Sequence, residues 1–454
     1  MRRIQYHSFL IKFLILFFTL ASSCGRSDPA VPDGEQKGKQ KDEKVNPVTN
    51  LIAERTYHAN ELRIAWSNPA GIVSVAISYL QDGGDDKNTV TVNVNVNGQK
   101  ESSYLLKLPV YAPYQITAVA IDNYGKRSEK TMITATPAST ETATFTNPLL
   151  SGADPWIIKS EGTYYYTYTQ GGSIVVYPTE KVSELGKASP VTLWRPASGT
   201  SYSKNLWAPE LHKINGKWYV YFAADNGTNA NHRMYVIENT SADPVQGSWS
   251  LKGKIGDPTD QWAIDGTILE HNNQMYMIWS GGIAGGAPQN LYIAKMSNPW
   301  TIDGERALIS SPEYTWEKYG SAINEGPEIL KNQQGDVFLV YSGSGYWVDN
   351  YCLGVLKLKT GGDPMVRSDW VKTSSPVFAQ NPAAGAYGTG HNAFFKSRDG
   401  KEDWIIYHAR SLPNGAENNG RNVRIQKFTW NTDGTPNFGE PVKIGQDIKV
   451  PSGE

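Results

Sequence analysis

Between residues 147 and 454 one order of features recurs five times: a short polar or acidic opener, a strand, a tight turn, a strongly aromatic strand, then an outer strand. The first unit reads Ala153-Asp154-Pro155-Trp156-Ile157-Ile158, turns at Glu161-Gly162 and runs on through Thr163 to Tyr168 as TYYYTY. The second has Trp207-Ala208-Pro209-Glu210-Leu211, a turn at Asn215-Gly216 and KWYVYF. The third has Ala263-Ile264-Asp265-Gly266-Thr267, a turn at Asn272-Asn273 and QMYMIW. Asn324-Glu325-Gly326-Pro327 opens the fourth, which turns at Gln334-Gly335 into DVFLVY. Gly390-His391-Asn392 opens the fifth, which turns at Asp399-Gly400 into DWIIYH. Turn dipeptides such as Asn-Gly and Asp-Gly between two apolar runs are hairpin signals. The openers Asp154, Glu210, Asp265, Glu325 and His391 stand 56, 55, 60 and 66 residues apart. Five such units account for the whole segment, and a five-bladed β-propeller is the economical reading.

Composition agrees with an all-β chain. Forty-three Gly and 26 Pro imply many turns, while 14 Trp, 25 Tyr and 12 Phe are an aromatic excess suited to stacking flat-faced ligands. With 43 basic against 44 acidic residues, net charge −1, no basic patch could track a phosphate backbone. Nucleic acid is therefore excluded as a partner. At 454 residues the chain is long enough for two domains.

The N-terminal third divides by composition. Met1-Arg2-Arg3 and the apolar stretch Phe9 to Ala21, ending in Ala21-Ser22-Ser23-Cys24, resemble a bacterial lipoprotein signal over residues 1–23. Cys24 is then the lipidated residue. Cys352 is left as a lone thiol in an apolar strand, without a disulfide. Residues 24–46 contain almost nothing apolar and are expected to form a disordered tether. From 47 to 140, short alternating strands predict a small β-sandwich. Among them are LRIAW, SVAISY and TVTVNVNVN, the last expected to bury one face. About seven strands with one early Trp resemble a fibronectin type III module.

In a propeller the innermost strand of each blade lines the central channel, so equivalent positions converge at one end of the axis. Asp154, Asp265 and Glu325 hold that position in blades one, three and four, each followed at once by Gly or Pro. Converging carboxylates suit glycosidic bond cleavage, in which one protonates the leaving oxygen and another activates water or attacks the anomeric carbon. Crowding raises the pKa of one of them and supplies the acid near neutral pH.

Over about residues 147–445 the chain resembles glycoside hydrolase family 43. Ala153-Asp154-Pro155-Trp156, Trp207-Ala208-Pro209-Glu210, Ile264-Asp265-Gly266 and Asn324-Glu325-Gly326-Pro327 look like its blade motifs, and Gly420-Arg421 like its last-blade segment. The resemblance implies Asp154 as general base, Glu325 as general acid and Asp265 as the group that tunes and orients that acid. Inversion at the anomeric carbon is the implied outcome. It also implies substrate contact by Arg421, with Trp207, Glu210 and Trp156 as further substrate-binding candidates. His391 is the candidate contact for a structural calcium ion on the axis, and no cofactor is required. The implied activity is that of an α-L-arabinofuranosidase acting on arabinan or arabinoxylan side chains, with a β-D-xylosidase or endo-arabinanase of the same family as alternatives. A non-catalytic sugar-binding propeller need not keep all three acids. The retaining fructan and sucrose hydrolases would show Asn-Asp-Pro-Asn-Gly where this chain has Ala-Asp-Pro-Trp. The expected partner is an arabinose- or xylose-containing polysaccharide or oligosaccharide. The expected setting is a monomer, lipid-anchored to the outer membrane of a Gram-negative bacterium, periplasmic or at the cell surface.

Overall fold

The computed structural model describes residues 44–56, 59–96, 98–138, 143–414 and 420–454. The expected signal, Cys24 and nearly all of the 24–46 tether lie outside the described residues.

Two antiparallel sheets precede the propeller. One contains Thr49–Arg55, Glu61–Ser67 and Glu101–Lys107. The other has the order Val90–Asn95, Ile72–Gln81, Tyr114–Asp122, Thr131–Ala135. Alternation decides what faces inward. Leu62, Ile64 and Trp66 from the first sheet meet Val75, Ile77, Ile116 and Ala118 from the second, giving this region its own core. The run TVTVNVNVN differs from expectation, since Val90–Asn95 is exposed to half-buried along its length. It is an edge strand with one neighbour, Ile72–Gln81, so little of either face is covered.

The remainder forms five sheets of four or five strands each, in chain order, and a two-stranded pairing of Thr144–Phe145 with Ile448–Lys449. Their first strands are Trp156–Ser160, Lys204–Ile214, Trp262–His271, Asn324–Lys331 and Tyr387–Lys396. Neighbouring blades share apolar layers. Trp218, Val220 and Phe222 of blade two pack with blade-one and blade-five residues in one cluster, and three further clusters join blades two to three, three to four and four to five. The aromatic second strands fill these layers, with Tyr164, Tyr166, Trp218, Tyr221, Phe338, Tyr341 and Tyr407 fully buried. The ring closes where Leu150–Ser151, from before blade one, pairs with Arg421–Trp430 of blade five. Asn147 seals the join: its side-chain N–H donates to the Ile425 carbonyl at 2.8 Å and its oxygen accepts the Ile425 N–H at 3.0 Å.

In blades two to five the openers lie inside their first strands rather than ahead of them, because each strand is interrupted there. Register breaks fall at Trp207/Glu210, Ile264/Thr267, Glu325/Glu328 and Gly390/Ala393. Every blade puts one residue into the left-handed region at this point: Asp154 (φ 58°), Ala208 (38°), Asp265 (52°), Gly326 (53°) and His391 (45°). A bulge of this kind re-aims side chains that would otherwise alternate between faces. Only blade four spends a glycine on it. The other four accept a cost of roughly 1–2 kcal/mol each for a non-glycine residue in that conformation, which a well-packed scaffold tolerates at a functional site.

Candidate active site

Residues at or beside these positions in all five blades line a cavity of about 320 Å³, at the small end of the range for small-ligand clefts. Asp154, Asp265 and Glu325 all line it, together with Trp207, His391 and Arg421.

Asp154 sits just before its strand and is held from several sides. Arg421 Nη1 donates to its Oδ1 at 2.9 Å, and Thr169 Oγ1 donates to its Oδ2 at 2.7 Å. The Asp154 backbone N–H donates to His408 Nδ1 at 3.1 Å, which leaves the buried His408 proton on Nε2. His391 Nδ1 lies 3.3 Å from Asp154 Oδ1. Burial alone would raise this carboxyl's pKa, but Arg421, then His391, His408 and Thr169, outweigh it and hold the group well below the usual carboxylate range.

The other two acids are pushed the opposite way. Asp265 is 4% exposed and Glu325 7%. Burial, then repulsion from Glu325 and Asp154, raise Asp265 well above its ordinary value, although its Oδ2 accepts the Gly326 N–H at 3.1 Å. Burial likewise pushes Glu325 up to about 7, against the Tyr351 hydroxyl that donates to its Oε1 at 2.8 Å. Two crowded carboxyl groups of this kind hold a proton between them near neutral pH. Gly326 lets blade four pass close to blade five, because a Cβ there would come within 3.2 Å of the His391 ring. The cavity can therefore keep one carboxylate ionised and another protonated at the same pH.

Trp207 forms part of the wall, half-buried, with its ring stacked on His232 at 3.9 Å. His232 is fixed in turn, 3.2 Å from Asp225, with both side chains fully buried. Two expected substrate contacts are corrected. Trp156 is buried between blades, where its indole N–H donates to the Leu211 carbonyl at 3.0 Å, and it does not reach the cavity. Glu210 lies beneath the cavity wall, 2.9 Å from His212 and within electrostatic reach of Asp265. Burial lowers the His391 pKa below its ordinary value, against the attraction of Asp154. A calcium ion there would have to complete an oxygen-rich shell with water, since among the described residues no group of three or more His, Cys, Asp or Glu is placed to hold a metal. Thr169, Tyr351 and His408 were not legible as site residues. They come from second and third strands and their connections, and carry no motif.

Fold and site together define a class: five-bladed propellers in whose axial cavity three carboxyl groups, Asp154, Asp265 and Glu325, converge. The chain belongs to glycosyl hydrolases family 43, whose model matches residues 145–436. It is 41% identical over 321 residues to the extracellular exo-α-(1→5)-L-arabinofuranosidase of Streptomyces avermitilis, covering 68% of this chain and 66% of that protein. It is 37% identical over 322 residues to α-L-arabinofuranosidase 43 of Humicola insolens, covering 69% and 66%. The chain thus spans about two thirds of the length of these relatives. Among solved structures, the α-L-arabinofuranosidase from Lactobacillus brevis superposes with a TM-score of 0.62 at 36% identity, over 66% of this chain and 98% of that one.

Proposed function

We propose that the chain is an inverting α-L-arabinofuranosidase that releases arabinose from arabinan or arabinoxylan. The observation that carries this reading is the convergence of Asp154, Asp265 and Glu325 on one cavity, with Arg421 paired to Asp154 and no cation paired to the buried Glu325 among the described residues. Asp154, ionised and oriented by Arg421 and Thr169, takes a proton from a water that attacks the anomeric carbon. Glu325 gives its proton to the leaving oxygen as the glycosidic bond breaks, and both groups reset through solvent. Asp265 tunes Glu325: its crowding keeps the proton on the pair, and the Gly326 N–H anchors it beside the acid. Trp207 and Arg421 contact the arabinosyl ring. The names of the relatives support arabinose over xylose as the sugar released. No cofactor enters this chemistry, and a calcium ion at His391 would be structural. The region 47–140 acts as a fibronectin type III-like spacer, and Cys24 as a lipid anchor holding the enzyme at the outer membrane of a Gram-negative bacterium.

Proton NMR of the products from an aryl α-L-arabinofuranoside and an aryl β-D-xyloside tests the reading. The expected result is hydrolysis of the arabinofuranoside with the β anomer formed first. Formation of the α anomer, or turnover of the xyloside alone, overturns it.

A further inference from the structure

Among the described residues of the propeller, the large aromatic side chains left exposed are Tyr319, Tyr346 and Trp347, at 43–44% each. They lie in two adjoining loops, Tyr319 in the connection from blade three to blade four and the other two within blade four, and Tyr346 and Trp347 line the cavity. The second of these loops follows the strand Val337–Gly343, in which Ser342 is the cross-strand partner of Glu325, and ends at Tyr351, whose hydroxyl donates to Glu325. Both of its ends are thus fixed to the residue that holds the proton.

The loop is built to be rigid. The Ser344 N–H lies 3.2 Å from the Glu317 and Ile323 carbonyls, and the Gly345 N–H donates to the Tyr319 carbonyl at 2.9 Å, stitching the two loops together. Arg410, 4% exposed, donates to the Tyr346 carbonyl at 2.7 Å and to Asp349 at 2.8 Å. Trp347 is seated on glycine: a Cβ at Gly345 would come within 2.7 Å of its ring and one at Gly320 within 2.9 Å. Tyr346 already has an occupant, since the Arg421 guanidinium lies 4.4 Å over its ring. It meets Trp347 edge-on, with centroids 5.3 Å apart at 85°. The Trp347 surface is therefore the fixed, unoccupied apolar plane on the Glu325 side of the cavity.

We propose that Trp347 is the stacking platform of a leaving-group subsite, taking the sugar residue next to the bond that is cut. The inference rests on the functional reading above and deepens it. Glu325 must meet the leaving oxygen, so the residue attached to that oxygen lies over the loop flanking Glu325. A sugar ring presents an apolar C–H face that a rigid indole covers at little entropic cost. Binding energy gained there positions the bond at the acid and is realised in the rate as well as in affinity. The occupant is a pentose of an oligosaccharide or polysaccharide chain, not a small alkyl aglycone.

The test compares kcat/KM for α-1,5-linked arabinotriose and for methyl α-L-arabinofuranoside in the wild type, Trp347→Ala and Trp347→Phe. The expected result is a loss in Trp347→Ala at least tenfold greater for arabinotriose than for the methyl glycoside, with Trp347→Phe restoring most of it. Equal losses on both substrates, or no loss on arabinotriose, overturn the subsite. Failure of the wild type to cut either substrate would instead overturn the arabinofuranosidase reading, and the subsite with it.

Discussion

Thr169 Oγ1 lies 2.7 Å from Asp154 Oδ2 and 2.7 Å from the Ala208 nitrogen, donating to the first and accepting from the second. One hydroxyl therefore ties the proposed base of blade one to the strained bulge of blade two. Ala208 holds φ 38° there, and its N–H would otherwise point into the cavity wall without a partner. Thr169→Val removes the donor while keeping the branched shape. A hydrogen bond to a charged group is worth roughly 1.5–3 kcal/mol, so kcat/KM is expected to fall about 10- to 100-fold. The acidic limb of the pH profile should also move upward, because the ionised Asp154 loses a stabilising partner. Thr169→Ser should recover most of the rate. A purely structural role would lower Tm without moving the profile.

Asp154→Asn and Glu325→Gln should each reduce hydrolysis of an unactivated arabinofuranoside by about 10³-fold or more, since general acid–base groups typically contribute 10²–10⁴. They separate on leaving group. An aryl leaving group that is already acidic needs little protonation, so Glu325→Gln should recover substantially on such a substrate while Asp154→Asn does not. Circular dichroism should show both variants folded. Equal behaviour of the two across a leaving-group series would contradict the division of roles.

The pH dependence follows from the two carboxyl groups. Asp154, held well below the usual range by Arg421 and its histidines, stays ionised through ordinary acidic pH. Glu325, raised to about 7 chiefly by burial, loses its proton as pH rises through neutrality. kcat/KM should accordingly be flat on the mildly acidic side and fall above about pH 7. Tyr351→Phe removes a hydrogen bond that favours the ionised Glu325, so it should shift that descending limb to higher pH. A limb that stays in place would assign it to another group.

The repeat and the three acids were legible because each propeller blade stamps its position on the sequence with an aromatic strand and a turn dipeptide, and Arg421 was legible through the family resemblance of Gly420-Arg421. The bulges were not, since nothing in Ala208 or His391 announces a left-handed backbone, and four of the five sites lack glycine. Trp156 and Glu210 were substrate-binding candidates through the motifs that carry the resemblance, and a motif does not tell how deeply its side chains are buried. Strand periodicity assigns faces only until a bulge changes the count. Thr169, Tyr351 and His408 were hidden for a different reason. Thr169 and Tyr351 reach Asp154 and Glu325 from later in the same blades, 15 and 26 residues on, while His408 reaches Asp154 across 254 residues, which only closure of the ring allows. The Trp347 shelf depends on two glycines in separate loops, a relation that spacing does not carry.

Glu325 should also limit the stability of the fold. Its folded pKa is raised above the unfolded value, so the native state binds more protons than the unfolded one between about pH 4.5 and 7. By linkage, stability is fully present below the unfolded pKa and is lost as pH rises through the folded pKa. Glu325→Gln, which keeps the shape and the buried polarity without the charge, should therefore match the wild type near pH 4.5 and exceed it at pH 8. A difference of about 1 kcal/mol corresponds to roughly 2–4 °C in Tm for a domain of 150–250 residues, and somewhat less for a larger one. Thermal unfolding at the two pH values measures it. An inactive variant that gains stability only on the alkaline side would show that the fold gives up stability to keep a proton at this position, as expected of an active-site acid. Equal Tm shifts at both pH values would mean that packing, not charge, sets the difference.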